Sequence, residues 1–331
     1  MSLLLSSAAL SLLAVLAVWL IGRRDPAQSP LLTLGSLLTL LALPVLALLP
    51  KLTVELPALP LSAQSGNPSS SISLFLLLWV GGFLFFTLRM VADLVSLYRW
   101  RSGSIDSEDP AITRIVEDCR LQLGLRSTVR VRFHPLGSSP CIAGLFRPVV
   151  YLPLQSRGWN DETMRMVLLH ELGHVARRDL WTNLVAQCAC LVYWFNPLVW
   201  WLRSQLMAQC EFACDARVIS VGTDPNHYAN ALCDVAEASA LPQAALAMAG
   251  RAPLRARVER VICRHRPGHS LLVGAALLLT VSASLGLSVV RLSPAQLSLA
   301  GTSGQEMEGP SALYTPEEIA LRSNANPFPA D

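Results

Sequence analysis

Five consecutive residues, His170-Glu171-Leu172-Gly173-His174, carry the most specific chemistry in this chain. Two histidines four apart on a helix project from one face, one turn apart. Their ring nitrogens can therefore reach a single zinc ion at about 2.0–2.1 Å. The glutamate between them falls where it can take a proton from a water polarised by that ion. With 6 His among 331 residues, H-E-x-x-H arises by accident in roughly one such chain in a hundred. The surroundings therefore decide. Asn160 is suited to cap a helix, and Asp161 and Glu162 suit its first turn. Residues 163–178 contain no proline and are mostly good helix formers. The motif is expected on a helix, as the core of a metalloprotease site.

Hydrolytic zinc needs three protein ligands and one open position. His170 and His174 supply two. Downstream, Glu211 and Asp215 lie four apart, on one face of a helix. Glu211 is the expected third ligand, with Cys210 or Cys214 as the thiolate alternative. Asp215 and Asp179 are candidates for holding a histidine by its far nitrogen. His227 and Tyr228 are candidate oxyanion donors, set against a plain capping or packing role.

The elements that must position these groups sit in an apolar chain. It is 52% hydrophobic and 15% charged, against about 25% charged in soluble domains. Apolar runs at about 3–22, 31–49, 72–88 and 270–291 are long enough to read as four transmembrane helices. Arg23 and Arg24 follow the first run rather than precede it, which fits a retained span and not a signal peptide. The positive-inside rule then orients the chain. Both termini fall outside, with an outer loop at 51–71. Residues 102–269, which hold most of the arginines, face the cytoplasm. The tail, 292–331, is acidic and extracytoplasmic. All eight cysteines lie between Cys119 and Cys263, inside that inner domain, where reducing conditions keep thiols free. The net charge of +3 reflects inner arginines near anionic lipid, and no nucleic-acid-binding motif is present.

Within the inner domain, residues 102–110 read as a polar linker and 110–123 as a helix. Ser127–Phe133 alternates with period two and reads as a strand. Pro148–Pro153 reads as another, with prolines suited to a sheet edge. Such an edge can accept an extended peptide as a further strand, or belong to an ordinary small sheet. Residues 181–203 look like a fifth span, but Asn196-Pro197 breaks the run. The expectation is a hairpin, partly membrane-embedded or buried against other helices. Thr315-Pro316-Glu317-Glu318 starts a short tail helix.

Taken together, these stretches resemble the BlaR/MecR-type integral membrane zinc metallopeptidases, a signal-transducing antirepressor family. The resemblance rests on Gly144–Pro153, His170–Asp179, Asn196–Val199, Glu211–Arg217 and Pro253–Ile262, and on three spans preceding and one following the zinc domain. It covers about residues 1–291. It implies a mainly α, multi-pass membrane fold, with an inserted cytoplasmic α+β zincin-like metalloprotease domain. It implies His170, His174 and Glu211 as Zn2+ ligands, Glu171 as general base and Asp215 near the metal. It also implies hydrolysis of a protein or peptide substrate, with a cytoplasmic transcriptional repressor as candidate, from a bacterial-type inner membrane. The family's best-studied members carry a large outer penicillin-binding domain after the fourth span, where this sequence has only its tail, so beta-lactam sensing is not expected. A non-proteolytic transducer that keeps the zinc-binding fold is the competing reading. Glu171 argues against it, because a scaffold has no use for the base. A transporter is disfavoured, because the four spans lack ionisable residues.

Overall fold

The computed structural model describes residues 2–22, 29–46, 52–56, 69–137, 139–238, 252–263, 274–276, 278–282 and 290–294. The chain divides into two compact units, Met1–Thr53 with Gln64–Arg291, and Val54–Ala63 with Leu292–Asp331. A two-stranded sheet pairs β1 (Leu52–Leu56) with β6 (Val290–Pro294). The expected tail helix at Thr315 lies outside the described residues.

Helices α1 (Ser2–Gly22) and α2 (Ser29–Leu46) cover the first two apolar runs. Helix α3 (Ser69–Ser102) covers the third and continues well past residue 88, toward the arginines at 99 and 101. Several hydroxyls in these apolar helices bond back to their own preceding turns, whereas Thr33 Oγ1 donates to Gln209 Oε1 of another helix at 2.9 Å. Ser11 Oγ donates to the Ser7 carbonyl at 2.7 Å, and Thr87 Oγ1 to that of Phe83 at 2.7 Å. Among the described residues one helix is long and apolar enough to cross a membrane, Leu76–Ser102 within α3; Ser6–Leu20 and Pro30–Leu46 are apolar but shorter. The expectation of four spans thus rests on one such helix. The fourth run lies largely outside the described residues. Within it, 274–276 and 278–282 are helical, and β6 takes 290–291 as strand.

The inner sheet has the order β2-β3-β5-β4, from β2 (Ile105–Asp106), β3 (Arg130–His134), β4 (Cys141–Ala143) and β5 (Val149–Pro153). Part of the expected linker is therefore strand, pairing Ile105 with Phe133. The expected edge strand is corrected as well. β5 lies between parallel β3 and antiparallel β4, and all five of its residues are buried. Its prolines do not interrupt the ladder: Pro148 precedes the strand, and Pro153 is its last residue, in register with His134. The edges are β2 and β4, both too short to show a period in the sequence. Helix α4 (Pro110–Gln122), capped by Asp109, and helix α5 (Asp161–Arg177) close a core around Val131, Phe133, Val150 and Leu152.

Where 181–203 raised the question of a fifth span, the chain makes a hairpin. Helix α6 (Asp179–Val192) ends before the break, and α7 (Pro197–Ser220) starts at the proline, with Asn196 capping it by accepting from Leu198 N–H at 3.0 Å. The tip is bonded to three apolar helices. Tyr193 Oη donates to the Leu40 carbonyl at 2.8 Å, Asn196 Nδ2 to Ser11 Oγ at 3.0 Å, and Trp79 Nε1 to the Val192 carbonyl at 3.1 Å. Gly82 leaves room for the Trp194 ring, which a β-carbon there would meet at 2.1 Å. Helices α8 (Pro225–Ala238) and α9 (Leu254–Ile262) pack on each other and complete the inner core.

Candidate metal centre

Helix α5 carries the histidine pair and forms as its sequence dictates. Asn160 Oδ1 accepts from Thr163 N–H at 2.7 Å, with Asp161 and Glu162 in the first turn. The helix stops at Arg178, whose φ of +59° makes it the one non-glycine residue in the left-handed region among those described. That conformation is disfavoured for a residue with a β-carbon. Here it lets α6 begin at once and turns Asp179 back onto the helix just ended. Asp179 Oδ2 lies 2.8 Å from His174 Nδ1.

Gly173 serves the other side. A β-carbon there would stand 3.3 Å from Cys214 Sγ, so the glycine permits α7 to lie close against α5. This brings Glu211 over both rings. His170 Nε2 is 3.5 Å from Glu211 Oε2, and His174 Nε2 is 3.8 Å from Glu211 Oε1. Ligands about 2.1 Å from a tetrahedral ion stand about 3.4 Å apart. The three donors are thus spaced for an ion between them, and their chemistry, two imidazoles and a carboxylate, suits zinc.

Asp215, one turn further along α7, takes the other ring. His170 Nδ1 is 3.0 Å from Asp215 Oδ1. The two aspartates therefore do not compete for one histidine: each holds the outer nitrogen of a different one. A carboxylate on Nδ1 fixes the ring and directs the Nε2 lone pair at the metal. His174, Asp179 and Cys214 form a second group able to hold an ion. We favour the first set on chemical grounds. Cys214 Sγ sits 3.3 Å from His174 Nδ1, the nitrogen already bonded to Asp179. In the absence of an ion, burial and the nearby Asp179 charge push the Cys214 thiol well up, and burial pushes Cys210 up to about 12.

Two further residues complete the site: Arg257, which no spacing in the sequence flags, and Tyr228, in a role other than oxyanion donor. Arg257 on α9 donates from Nε to Asp215 Oδ2 at 2.9 Å and from Nη2 to Asp215 Oδ1 at 2.7 Å, and its Nη1 lies 3.1 Å from Glu211 Oε2. One guanidinium thus clamps the candidate ligand and the carboxylate behind the other ring. Tyr228 was considered as an oxyanion donor. Its hydroxyl instead donates to Asp215 Oδ1 at 2.8 Å and stands 3.0 Å from His170 Nδ1, behind the ring rather than in front of it. His227 faces away, 2.9 Å from Glu162 Oε1. Tyr228 thus packs behind the His170 ring, and His227 pairs with Glu162 at the surface. An arginine 42 residues beyond Asp215 has no spacing that flags it.

The residues expected as ligands, base and ring holders therefore come together: His170, His174, Glu211, Glu171, Asp215 and Asp179. Glu171 lines the cleft beside the two histidines and Glu211. This cleft, of about 1030 Å³, is bounded by Cys141 and Ile142 of the sheet edge and by apolar side chains including Met166, Leu232 and Val258.

Without an ion the cluster is strongly polarised. Burial and the Arg257 charge oppose a proton on His170, but hydrogen bonds to Asp215 and Glu211 outweigh them and raise it to about 9. Burial alone would raise both carboxylates. The His170 hydrogen bond and the Arg257 charge hold Glu211 below the usual range, and Arg257 holds Asp215 there. The raised histidine contributes stability that is complete below pH about 6.5 and lost as pH climbs through about 9; the depressed carboxylates contribute stability present above pH about 4.5 and lost in acid. Metal-stripped protein is expected to melt highest between those limits. A melting curve rising steadily from pH 6.5 to 9 would contradict the cluster.

With the geometry in place, comparison with known proteins adds an independent line. The model of the BlaR1 peptidase M56 family matches residues 44–261. The regulatory protein BlaR1 of Bacillus licheniformis is 27% identical over 159 residues, 48% of this chain and 26% of that protein. The methicillin resistance mecR1 protein of Staphylococcus aureus is 23% identical over 165 residues, 49% of this chain and 28% of that protein. The matched stretch thus spans only about a quarter of each relative.

Proposed function

The chain belongs to the BlaR1 peptidase M56 family, and from that premise we propose a membrane-bound zinc metallopeptidase that hydrolyses peptide bonds on the cytoplasmic side. One observation carries this reading: two imidazole Nε2 atoms and a carboxylate converge within 4.8 Å of one another, with Glu171 lining the same cleft. His170, His174 and Glu211 are the residues that would hold the ion. Bound there, zinc would supply the Lewis acidity that brings the pKa of a water toward neutrality. Glu171, lining the same cleft, is placed to take a proton from the attacking water and to return it to the leaving amine. Asp215 and Asp179 keep each ring's proton on Nδ1. Arg257 keeps Glu211 and Asp215 ionised and fixed. β4 is a terminal strand of the sheet and borders the cleft, so an extended peptide entering the cleft would run alongside it.

The domain reading goes with it: residues 102–269 form the cytoplasmic catalytic part, with spans on both sides and both termini outside. The substrate class we propose is a cytoplasmic repressor or similar protein, cleaved in regulated signalling. Full-length protein in detergent should cleave members of a quenched-fluorescence peptide library. Chelation with phenanthroline should abolish cleavage, and added zinc should restore it. Turnover that is indifferent to chelation would overturn the zinc mechanism.

A further inference from the structure

Phe146 projects from the turn between β4 and β5, 84% exposed, with Leu145 beside it. The turn is held in shape: Gly144 has φ +107°, and a β-carbon there would meet the Arg147 carbonyl oxygen at 2.4 Å. Phe146 meets another exposed aromatic edge-on, Trp181 on α6, at 5.2 Å between ring centroids. Arg147 and Arg178, both exposed, flank the pair. No acidic residue occurs in 144–148 or in 180–183.

The depth of this patch can be worked out along α6. Its far end is seated against Trp79 and Gly82 of α3, near the middle of the apolar run 72–88. From Val192, which Trp79 bonds, back to Trp181 is about 17 Å at 1.5 Å per residue. A hydrocarbon half-layer is about 15 Å thick, and headgroups extend to about 20–22 Å. An aromatic pair with flanking arginines therefore falls in the headgroup layer, where tryptophan side chains concentrate and arginine meets anionic phosphate. Trp181 is two residues from Asp179, which holds His174. We propose that Leu145, Phe146 and Arg147, with Trp181 and Arg178, form a lipid contact that seats the metal centre at the inner membrane surface. Substrates would then be chain segments lying close to that surface. This inference rests on α3 spanning the membrane, but not on proteolysis.

The test puts p-benzoyl-phenylalanine in place of Phe146, Leu84 or Leu121, one at a time, in the full chain. Leu84 faces outward from α3 and is 53% exposed, while Leu121 on α4 is 62% exposed. The proteins are irradiated in nanodiscs of phosphatidylethanolamine and phosphatidylglycerol and analysed by mass. The expected result is an adduct of one phospholipid mass at positions 84 and 146, and none at 121. Lipid at 84 but not at 146 overturns the contact while leaving the span intact. Silence at both overturns the contact and the span together. Equal labelling at 121 shows indiscriminate capture and also overturns the proposal.

Discussion

Replacing Glu171 with glutamine is expected to lower kcat by about 10²–10⁴-fold, the range assigned to one positioned proton-transfer group. Glutamine keeps the size and one oxygen but cannot accept the proton. Glu171 is buried and lines the cleft next to the two histidines, yet it belongs to no donor set that could hold the ion. The loss should therefore fall on kcat, with zinc content unchanged and KM little altered. That pattern separates Glu171 from its neighbours: His174→Ala should lose activity and metal together. A Glu171→Gln protein that still turns over peptides within a few-fold of the parent would remove the general base from the account. It would return the competing reading, a transducer that binds without cutting, to first place.

The second large effect is on stability. Arg257 is buried against two ionised carboxylates, making two hydrogen bonds to Asp215 and an ion pair to Glu211. Arg257→Met should destabilise the protein by about 3–5 kcal/mol, because it leaves buried charge without its partner. Arg257→Lys should recover little, since a single ammonium cannot reproduce the fork. Asp215→Asn combined with Arg257→Met should cost less than the sum of the two single changes, because the groups form one network. Urea unfolding of the metal-free protein supplies all the comparisons. Strict additivity, or an Arg257→Met protein as stable as the parent, would mean that the contact carries no energy.

How much of this was legible beforehand follows from the range of each signal. Helix α5 announces itself locally, through Asn160, the acidic first turn and the histidine spacing, and the structure places it accordingly. The hairpin break at Asn196-Pro197 is local too: proline removes a donor and the asparagine caps the next helix. Glu211 and Asp215 were found together because one helix face carries both. The split of duties between Asp215 and Asp179 was hidden. It depends on the left-handed turn at Arg178, which no composition reveals because arginine rarely adopts it. Arg257 and Tyr228 enter from helices separate in sequence, so no period links them to the motif. The sheet misled for the opposite reason. Prolines next to and at the end of β5 suggest an edge, while three-residue β4, which holds that edge, is too short to be seen.

Zinc stoichiometry in purified full-length protein, read by mass spectrometry for the wild type and for Glu211→Ala, bears most directly on the whole account. We expect about one zinc per chain in the first and a large loss in the second, with the fold retained by circular dichroism. A metal-free wild type, or a variant that keeps its zinc, would contradict the centre on which everything else is built.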